Sequence, residues 1–279
     1  MFPTIRTWSF IIFMLTTNVA VGQQILEQYT LPQVLEETSG LAILNDTLWT
    51  HNDSGNEATL YAISPKGKLL TKRTLAKQHK NIDWEDITTI DKRLIVADMG
   101  NNFGTRQNLY LLDIAFQKNT ATVLDSIPFH YPEQTDYTFN QATPFDAEGL
   151  IYIDGQLLLF SKNRKTKTTE LYLLPNSSKE NKAAKKIASL AVGSLITGAD
   201  FDSKSKTLVL TGYGKSNNQF LYVIRHFDLE TAAKATISQY TLDFNGAQIE
   251  AVCIIDENHV WITSEQTRKY PAFLAKISI

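Results

Sequence analysis

The chain has 279 residues, of which 43% are hydrophobic and 20% charged, a composition typical of a globular protein. Its 27 basic and 29 acidic residues give a net charge of −2 at pH 7, which excludes the basic excess that non-specific nucleic-acid binding needs. A single cysteine, Cys253, excludes an intramolecular disulfide framework and any cysteine-rich metal site. We therefore expect a folded protein without nucleic-acid partners.

Residues 1–22 have the pattern of a signal peptide. Arg6 supplies a positive charge, and the apolar stretch over residues 8–20 is too short to span a bilayer comfortably. Ala20 and Gly22 place small residues at the −3 and −1 positions of a cleavage site. We predict a secreted or periplasmic protein with no stable membrane anchor and one domain over residues 23–279. A buried amino-terminal element and a retained anchor are the alternatives.

The remaining chain repeats one pattern five times, in segments that start at Ser39, Glu85, Glu148, Ala199 and Glu250. Each segment begins with a brief apolar strand and continues through a tight turn into a hydrophobic strand. A polar loop and a third strand follow, and after the first four segments there is a further extended stretch. Short strands separated by turn residues at this spacing are typical of antiparallel meanders.

A repeat of roughly 50 residues that holds four strands is typical of a propeller blade, because stacking blades around an axis buries both sheet faces. The fifth segment ends at Ile279 after three strands, so residues 25–31 are predicted to supply the missing strand and close the ring. The predicted fold class is all-β, a five-bladed β-propeller. Six blades are the alternative because the second segment is long; we interpret its excess, residues 132–145, as an ordered loop over one face.

Propeller geometry predicts that two sets of polar residues meet at one end of the axis. In each blade the innermost strand starts on the same face as the loop between the second and third strands. The strand starts carry Glu85, Glu148, Asp200 and Glu250. The ends of the second strands carry His51, Asn52, Asp53, Asp98, Asn101, Lys162, Arg164 and Glu265.

Converging carboxylates repel one another. They therefore need a cation or a bound base beside them, or some of them take up protons because their pKa values are raised. Oxygen-rich clusters suit hard cations, Ca²⁺ above all. We therefore expect the four strand-start acids to be Ca²⁺ ligands and the second-strand residues other than His51 and Asp98 to bind a ligand. In the alternative interpretation the acids cap strands and bond neighbouring blades, and the other residues belong to ordinary turns and solvated loops.

Strings in the order of the chain resemble a group of exported bacterial propeller proteins of largely unassigned function. They are WTHNDSG at 49–55, DWEDI at 83–87, ADMGNN at 97–102 and DAEGL at 146–150. More distantly, the chain is similar to phytase-like and SdiA-regulated propellers and to metal-dependent lactonase propellers. This resemblance implies a propeller with calcium on its axial face and matches Glu148, with Glu85 and Glu250 as equivalents, to the Glu-Gly strand starts. Ser39 and Ala199 stand in place of the acid in the other two repeats.

Two kinds of function are consistent with this face. In the first, a calcium-assisted hydrolase, the metal polarises an ester, phosphoester, lactone or glycan and His51 or Asp98 serves as the base. In the second, the face binds a small molecule or a glycan without reaction, or serves as an interaction scaffold. Aromatic residues of the long loop would then help to hold the ligand, namely Tyr131, Tyr137 and Phe139. We expect a monomer in either case.

Overall fold

A computed structural model describes residues 23–118 and 120–279, so the predicted signal peptide lies outside the described residues. The described chain is almost entirely β-structure, interrupted by three short 3₁₀ turns at Gln33–Leu35, Lys215–Asn217 and Ala232–Lys234. No helix in these ranges is long and apolar enough to cross a bilayer.

The strands form five antiparallel sheets of four strands each. The chain enters through β1 (Ile25–Thr30). The first blade contains β2 (Thr38–Leu44), β3 (Thr47–Asn52), β4 (Thr59–Ile63) and β5 (Leu69–Thr74). The second contains β6 (Trp84–Ile90), β7 (Arg93–Asp98), β8 (Leu109–Gln117) and β9 (Thr120–Phe129). The third contains β10 (Ala147–Ile153), β11 (Gln156–Ser161), β12 (Thr169–Leu174) and β13 (Lys185–Leu190).

The fourth blade contains β14 (Leu195–Asp202), β15 (Thr207–Tyr213), β16 (Gln219–Ile224) and β17 (Ser238–Leu242). The fifth contains β18 (Gln248–Asp256), β19 (His259–Glu265) and β20 (Phe273–Ser278), and β1 is its outer strand. β1 pairs antiparallel with β20, with Thr30 opposite Phe273. This pairing confirms the five-bladed propeller closed by an amino-terminal strand. Residues 132–145 contain no strand, so the long second segment does not add a sixth blade.

The core consists of five apolar clusters, and each lies between two neighbouring blades. β11 shows why the middle strands are continuously hydrophobic. Leu158 and Phe160 pack against the fourth blade. Leu157 and Leu159 point to the opposite face and pack against the second. Because successive side chains of a strand alternate between faces, a sheet covered on both sides needs apolar residues at every position.

Each innermost strand has a β-bulge near its start, where the pairing register skips one residue. The skipped residues are Gly40, Glu85, Glu148, Thr197 and Glu250. The structure therefore changes the repeat alignment: Gly40 and Thr197, rather than Ser39 and Ala199, are the equivalents of the three glutamates. A bulge adds one residue to a strand without adding a partner, so aligning the strings by their apolar strands misplaces it.

Candidate functional site

The bulges bring Glu85, Glu148 and Glu250 into one cavity at the end of the propeller axis, with a volume of about 290 Å³. A bulge re-aims the side chain that it carries, which is why residues in three different blades converge here. Four residues predicted at second-strand ends also line the cavity: Asp53, Lys162, Arg164 and Glu265. The rest of its lining is Ser39, Asn102, Tyr213, Asn217 and Gln248.

Two of the cavity-lining carboxylates form a tight cluster with Asp83, which does not itself line the cavity, and we call Asp53, Asp83 and Glu85 the acidic triad. One oxygen of each lies within 4.8 Å of the oxygens of the other two. Asp53 follows β3, Asp83 directly precedes β6, and Glu85 is the bulge residue of β6. The triad therefore joins the first and second blades.

Gly100 leaves the space that two of these carboxylates fill. A Cβ built on Gly100 would lie 2.1 Å from Glu85 Oε1 and 2.4 Å from Asp83 Oδ2. The main chain is fixed at the same place, since the N–H groups of Met99 and Gly100 both donate to the carbonyl oxygen of Asp83 at 3.1 Å. Only glycine at this position lets Asp83 and Glu85 approach each other as they do.

Asn81 connects the two segments that carry the acidic triad. Its Nδ2 donates to the carbonyl oxygens of Asn52 at 2.9 Å and Asp53 at 2.8 Å. Its Oδ1 accepts a hydrogen bond from the N–H of Trp84 at 3.0 Å. The side chain of Asn81 is buried, so these bonds are shielded from water and fix the two loops relative to each other.

Asp98 fixes the main chain at Asp83, one member of the acidic triad. Its carboxylate accepts hydrogen bonds from the N–H groups of Ile82 at 3.0 Å and Asp83 at 3.3 Å, and it also binds the guanidinium of Arg106. Arg106 Nη1 in turn lies 3.9 Å from Asp83 Oδ2. Asp98 is fully buried and does not line the cavity, so it positions Asp83 and does not contact a ligand.

The donor set of the acidic triad fits a hard cation. All three donors are carboxylate oxygens, the ligands that Ca²⁺ prefers. Glu85 is only 4% exposed, yet its carboxylate accepts no hydrogen bond from any described residue. Because Glu85 lines the open cavity, only water, a proton or a cation is left to satisfy its carboxylate. The triad residues are therefore the ones that could hold a metal ion.

Two basic side chains line the cavity, and both are already ion-paired. Lys162 Nζ donates to Glu148 Oε1 at 2.8 Å, with both side chains buried. Arg164 binds one oxygen of the buried Asp146 through Nη2 at 2.9 Å and Nε at 3.2 Å. Glu148 thus has a cationic partner, whereas Glu85 has none among the described residues.

Asp83 and several acids that line the cavity have raised pKa values and so hold protons unusually tightly. Burial, together with the charge of Asp53, raises the pKa of Asp83 to about 7. Burial raises the pKa of Glu250 to about 7 and, with the charges of Glu250 and Asp53, that of Glu265 to about 9. Burial and the charge of Glu148 raise the pKa of Glu85 well above its ordinary value. Without a cation, the cavity therefore binds protons at neutral pH.

His51 and Asp98, the predicted bases, occupy the same register position in the first two blades. They lie opposite Ser39 and Trp84, one residue before the bulge. Both residues are fully buried, and neither lines the cavity. The His51 ring packs edge-on against Trp84 at 5.4 Å between centroids. Burial lowers the pKa of His51 to about 4.

Asn52 and Asn101, predicted to bind a ligand, hold loops together instead of lining the cavity. Asn52 Nδ2 donates to the carbonyl oxygen of Val34 at 2.8 Å. The main-chain N–H of Asn101 donates to Asp146 at 2.8 Å, and its Nδ2 donates to the carbonyl oxygen of Phe145 at 3.1 Å. Asn101 thereby ties the long loop of residues 132–145 to the second blade.

Asp200, predicted as a metal ligand, lies apart from the other three acids. It lines a separate hollow of about 150 Å³ with Cys253 and the later residues of the inner strands. Its carboxylate accepts hydrogen bonds from the N–H groups of Phe201 at 2.8 Å and Ile254 at 2.6 Å. The bulge of the fourth blade is at Thr197, so Asp200 is three residues further along the strand, away from the cavity.

Sequence reasoning did not name Asp83, Asn81 or Gly100 as a metal ligand, a base or a ligand-binding residue. The spacing of Asp83, two residues before Glu85, was a usable signal, because residues two apart in extended chain point to the same side. Asn81 and Gly100 had no such signal, since their roles depend on contacts between separate loops.

No protein-family model matches the chain, and no curated protein does. Among solved structures, the fold is similar to a GH43 β-1,3-galactosidase in a structure with galactodeoxynojirimycin. The TM-score is 0.52 at 9% identity, covering 87% of this chain and 90% of that one. A glucose dehydrogenase matches with a TM-score of 0.51 at 8% identity over 92% and 98% of the chains. A gluconolactonase from Xanthomonas campestris matches with a TM-score of 0.44 at 12% identity, covering 90% of this chain and 87% of that one. At these identities the likeness concerns the fold alone.

Proposed function

We propose that the chain is an exported, Ca²⁺-dependent hydrolase whose ion is held by the acidic triad. The observation that carries this proposal is the uncompensated carboxylate of Glu85, clustered with Asp53 and Asp83 beside an open polar cavity. A cation there would satisfy three acids that otherwise have to share protons. Calcium is the hard cation most suited to such oxygen ligands and is abundant outside cells.

The bound ion would supply Lewis-acid polarisation of an ester, lactone, phosphoester or glycosidic oxygen. The protein residues supply the other parts. Lys162 stays protonated: burial lowers its pKa, but the charges of Glu148 and Glu250 raise it by more. Its ammonium group lines the cavity and gives one N–H to Glu148, so the N–H groups that remain can stabilise negative charge that develops on a bound substrate.

Glu250 is the residue best suited to move a proton. It lines the cavity, and its pKa of about 7 lets it accept or donate a proton at neutral pH. This role replaces the one expected of His51 and Asp98, which do not reach the cavity. Arg164 and Asn102, held together by a side-chain hydrogen bond, are placed to orient a polar substrate.

Two measurements on the purified protein test this proposal. The first is thermal unfolding with Ca²⁺ and with EDTA. The second is turnover of p-nitrophenyl acetate, p-nitrophenyl phosphate, δ-gluconolactone and p-nitrophenyl glycosides under the same two conditions. We expect Ca²⁺ to raise Tm and at least one substrate to be hydrolysed only with Ca²⁺ present. No Ca²⁺ effect on Tm, together with no turnover of any substrate, would contradict the proposal.

A second candidate, a non-enzymatic module that binds a small molecule or a glycan, is favoured by the neutral part of the cavity lining. Asn102, Tyr213, Asn217 and Gln248 supply amide and hydroxyl groups suited to sugar hydroxyls. Both cationic groups are satisfied by internal ion pairs, so no strong attraction for an anion remains. Retention of a ligand without any product would favour this candidate over the hydrolase.

A further inference from the structure

The exposed large apolar residues of the described chain fall into two groups. One group lies on the outermost strands: Leu26, Leu69, Leu70 and Leu124. The other lies on connections at the cavity face: Val34, Ile82, Phe103 and Phe139. Outer strands of any propeller expose some apolar surface, but loops that surround a polar cavity do not need it. The second group therefore calls for a functional explanation.

Within that group, Phe103 and Phe139 form a stacked pair. Their ring centroids are 4.8 Å apart and their planes differ by 18°. The side chains are 48% and 64% exposed, so each ring keeps a face toward solvent. Offset stacking uses one face of each ring and leaves the other free for a ligand.

The two loops that present this pair are fixed by buried and main-chain hydrogen bonds. The N–H of Asn140 donates to the carbonyl oxygen of Phe103 at 2.8 Å. Gln134, which is buried, donates through Nε2 to the carbonyl oxygen of Gly104 at 2.7 Å. The aromatic pair is therefore built into the face and costs little entropy to organise on binding.

A hollow of about 150 Å³ lies among residues that flank the two rings in the chain, although neither ring lines it. Its lining combines polar residues, among them Glu133, Asp136, Thr138 and Asn140, with the apolar Pro144 and Phe145. No described basic residue lines it, so it does not suit an anionic ligand. Carboxylate, amide and hydroxyl groups on the same loops as an exposed aromatic pair match one ligand chemistry, a sugar ring, which has apolar C–H faces and hydroxyl edges.

The hollow and the axial cavity are lined by residues that are close together in the chain. Asn102 lines the cavity, Phe103 is in the aromatic pair, and Gly104 lines the hollow. Three consecutive residues thus pass from one site to the other. A chain of linked sugar units can contact both sites at once.

We propose that the Phe103–Phe139 pair and its hollow form an accessory subsite for a neutral oligosaccharide that extends toward the axial cavity. As the identity of the hydrolase substrate, this inference rests on the proposed function. As a binding site it does not, because none of its residues belongs to the acidic triad.

The test uses the purified protein and four neutral probes: cellohexaose, laminarihexaose, xylohexaose and a β-1,4-linked galactohexaose. Binding is measured by titration calorimetry with Ca²⁺ and with EDTA. We expect at least one probe to bind under both conditions. Phe139→Ala should weaken that binding roughly tenfold, because it removes one stacking contact with the sugar. Phe139→Trp should preserve the binding. Leu124→Ala, which removes a similarly exposed side chain on the outer strand β9, is the matched control and should have no effect.

The inference is overturned if no probe binds, if binding disappears in EDTA, or if Phe139→Ala binds like the wild type. Phe139 is largely exposed, so Phe139→Ala should keep the wild-type Tm. Oligosaccharide binding with this variant pattern but without Ca²⁺ binding or hydrolysis would support the subsite and refute the proposed hydrolase. Hydrolysis of a non-carbohydrate substrate without any oligosaccharide binding would support the hydrolase and refute the subsite.

Discussion

The Glu85 carboxylate occupies the space that a side chain at Gly100 would need, with 2.1 Å between Oε1 and a Cβ built at that glycine. The conflicting atoms are the ends of two flexible side chains and not the main chain. A larger residue at position 100 would therefore be accommodated by moving Glu85 and Asp83, which changes the acidic triad without unfolding the blade.

Gly100→Ala should accordingly weaken Ca²⁺ binding by at least about tenfold while leaving the net charge unchanged. The physical reason is that the new methyl group displaces two of the three ligand carboxylates. Titration calorimetry measures the affinity, and thermal unfolding in EDTA serves as the control. Wild-type affinity in this variant would show that the two carboxylates do not act together on a cation.

Asn81→Ala tests the connection between the two loops that carry the triad. It removes the donor to Asn52 and Asp53 and the acceptor for Trp84. Leaving these buried groups unpaired should cost about 1–3 kcal/mol in the free energy of unfolding. Because Asp53 is no longer held against Asp83, the stabilisation by Ca²⁺ should also decrease. Urea unfolding with and without Ca²⁺ measures both effects. If Ca²⁺ raises the free energy of unfolding of the variant as much as that of the wild type, Asn81 has only a structural role.

Stability in EDTA should fall as the pH rises from about 6.5 to 9. Asp83 and Glu250 have pKa values of about 7 and Glu265 of about 9 in the folded protein, chiefly because of burial. In the unfolded chain each of these carboxyls has a pKa of about 4. The folded state therefore binds more protons in this range, and raising the pH favours unfolding. Burial lowers the pKa of His51 to about 4, so His51 acts in the opposite direction only at lower pH, as the unfolded chain becomes protonated.

Saturating Ca²⁺ should remove the part of that pH dependence that comes from Asp83, because an ion held by the acidic triad replaces its proton, whereas Glu250 and Glu265 lie outside the triad and continue to titrate. Tm measured at several pH values with EDTA and with Ca²⁺ checks both statements. A Tm in EDTA that rises between pH 6.5 and 9 would contradict the assignment of raised pKa values to these carboxyls.

Lys162→Met separates the structural and catalytic contributions of the buried ion pair. It leaves Glu148 without its partner and should destabilise the fold by about 3 kcal/mol. Adding Glu148→Gln removes the unpaired charge and should restore most of the stability. If Lys162 stabilises charge on the substrate, the double variant should still have low kcat/KM. Recovery of activity together with stability would restrict Lys162 to a structural role.

The fold could be predicted from the sequence because every blade obeys the same local rules. The hydrophobic run at Leu157–Leu159 and its equivalents indicates strands covered on both faces, and the turns between them set the repeat length. The closing strand β1 was predictable because the last segment is one strand short. Regularity of this kind is visible without knowledge of any tertiary contact.

The site was only partly predictable, since it depends on the irregular features of the same blades. Glu85, Glu148 and Glu250 could be grouped because they recur at equivalent strand starts. The repeat alignment adds Asp200 to this group, but the bulge at Thr197 separates it from the others. Asn81 and Gly100 act through contacts between distant loops, and no local pattern in the sequence encodes those contacts.

The central claim, that the acidic triad holds Ca²⁺, is tested most directly by titrating Ca²⁺ into the chelator-treated protein and its Glu85→Gln variant in a calorimeter. We predict one bound ion per wild-type chain and a loss of affinity of at least about tenfold in Glu85→Gln, whose side chain has nearly the same shape but no charge. Absence of binding to the wild type, or equal affinity in the two proteins, would contradict it.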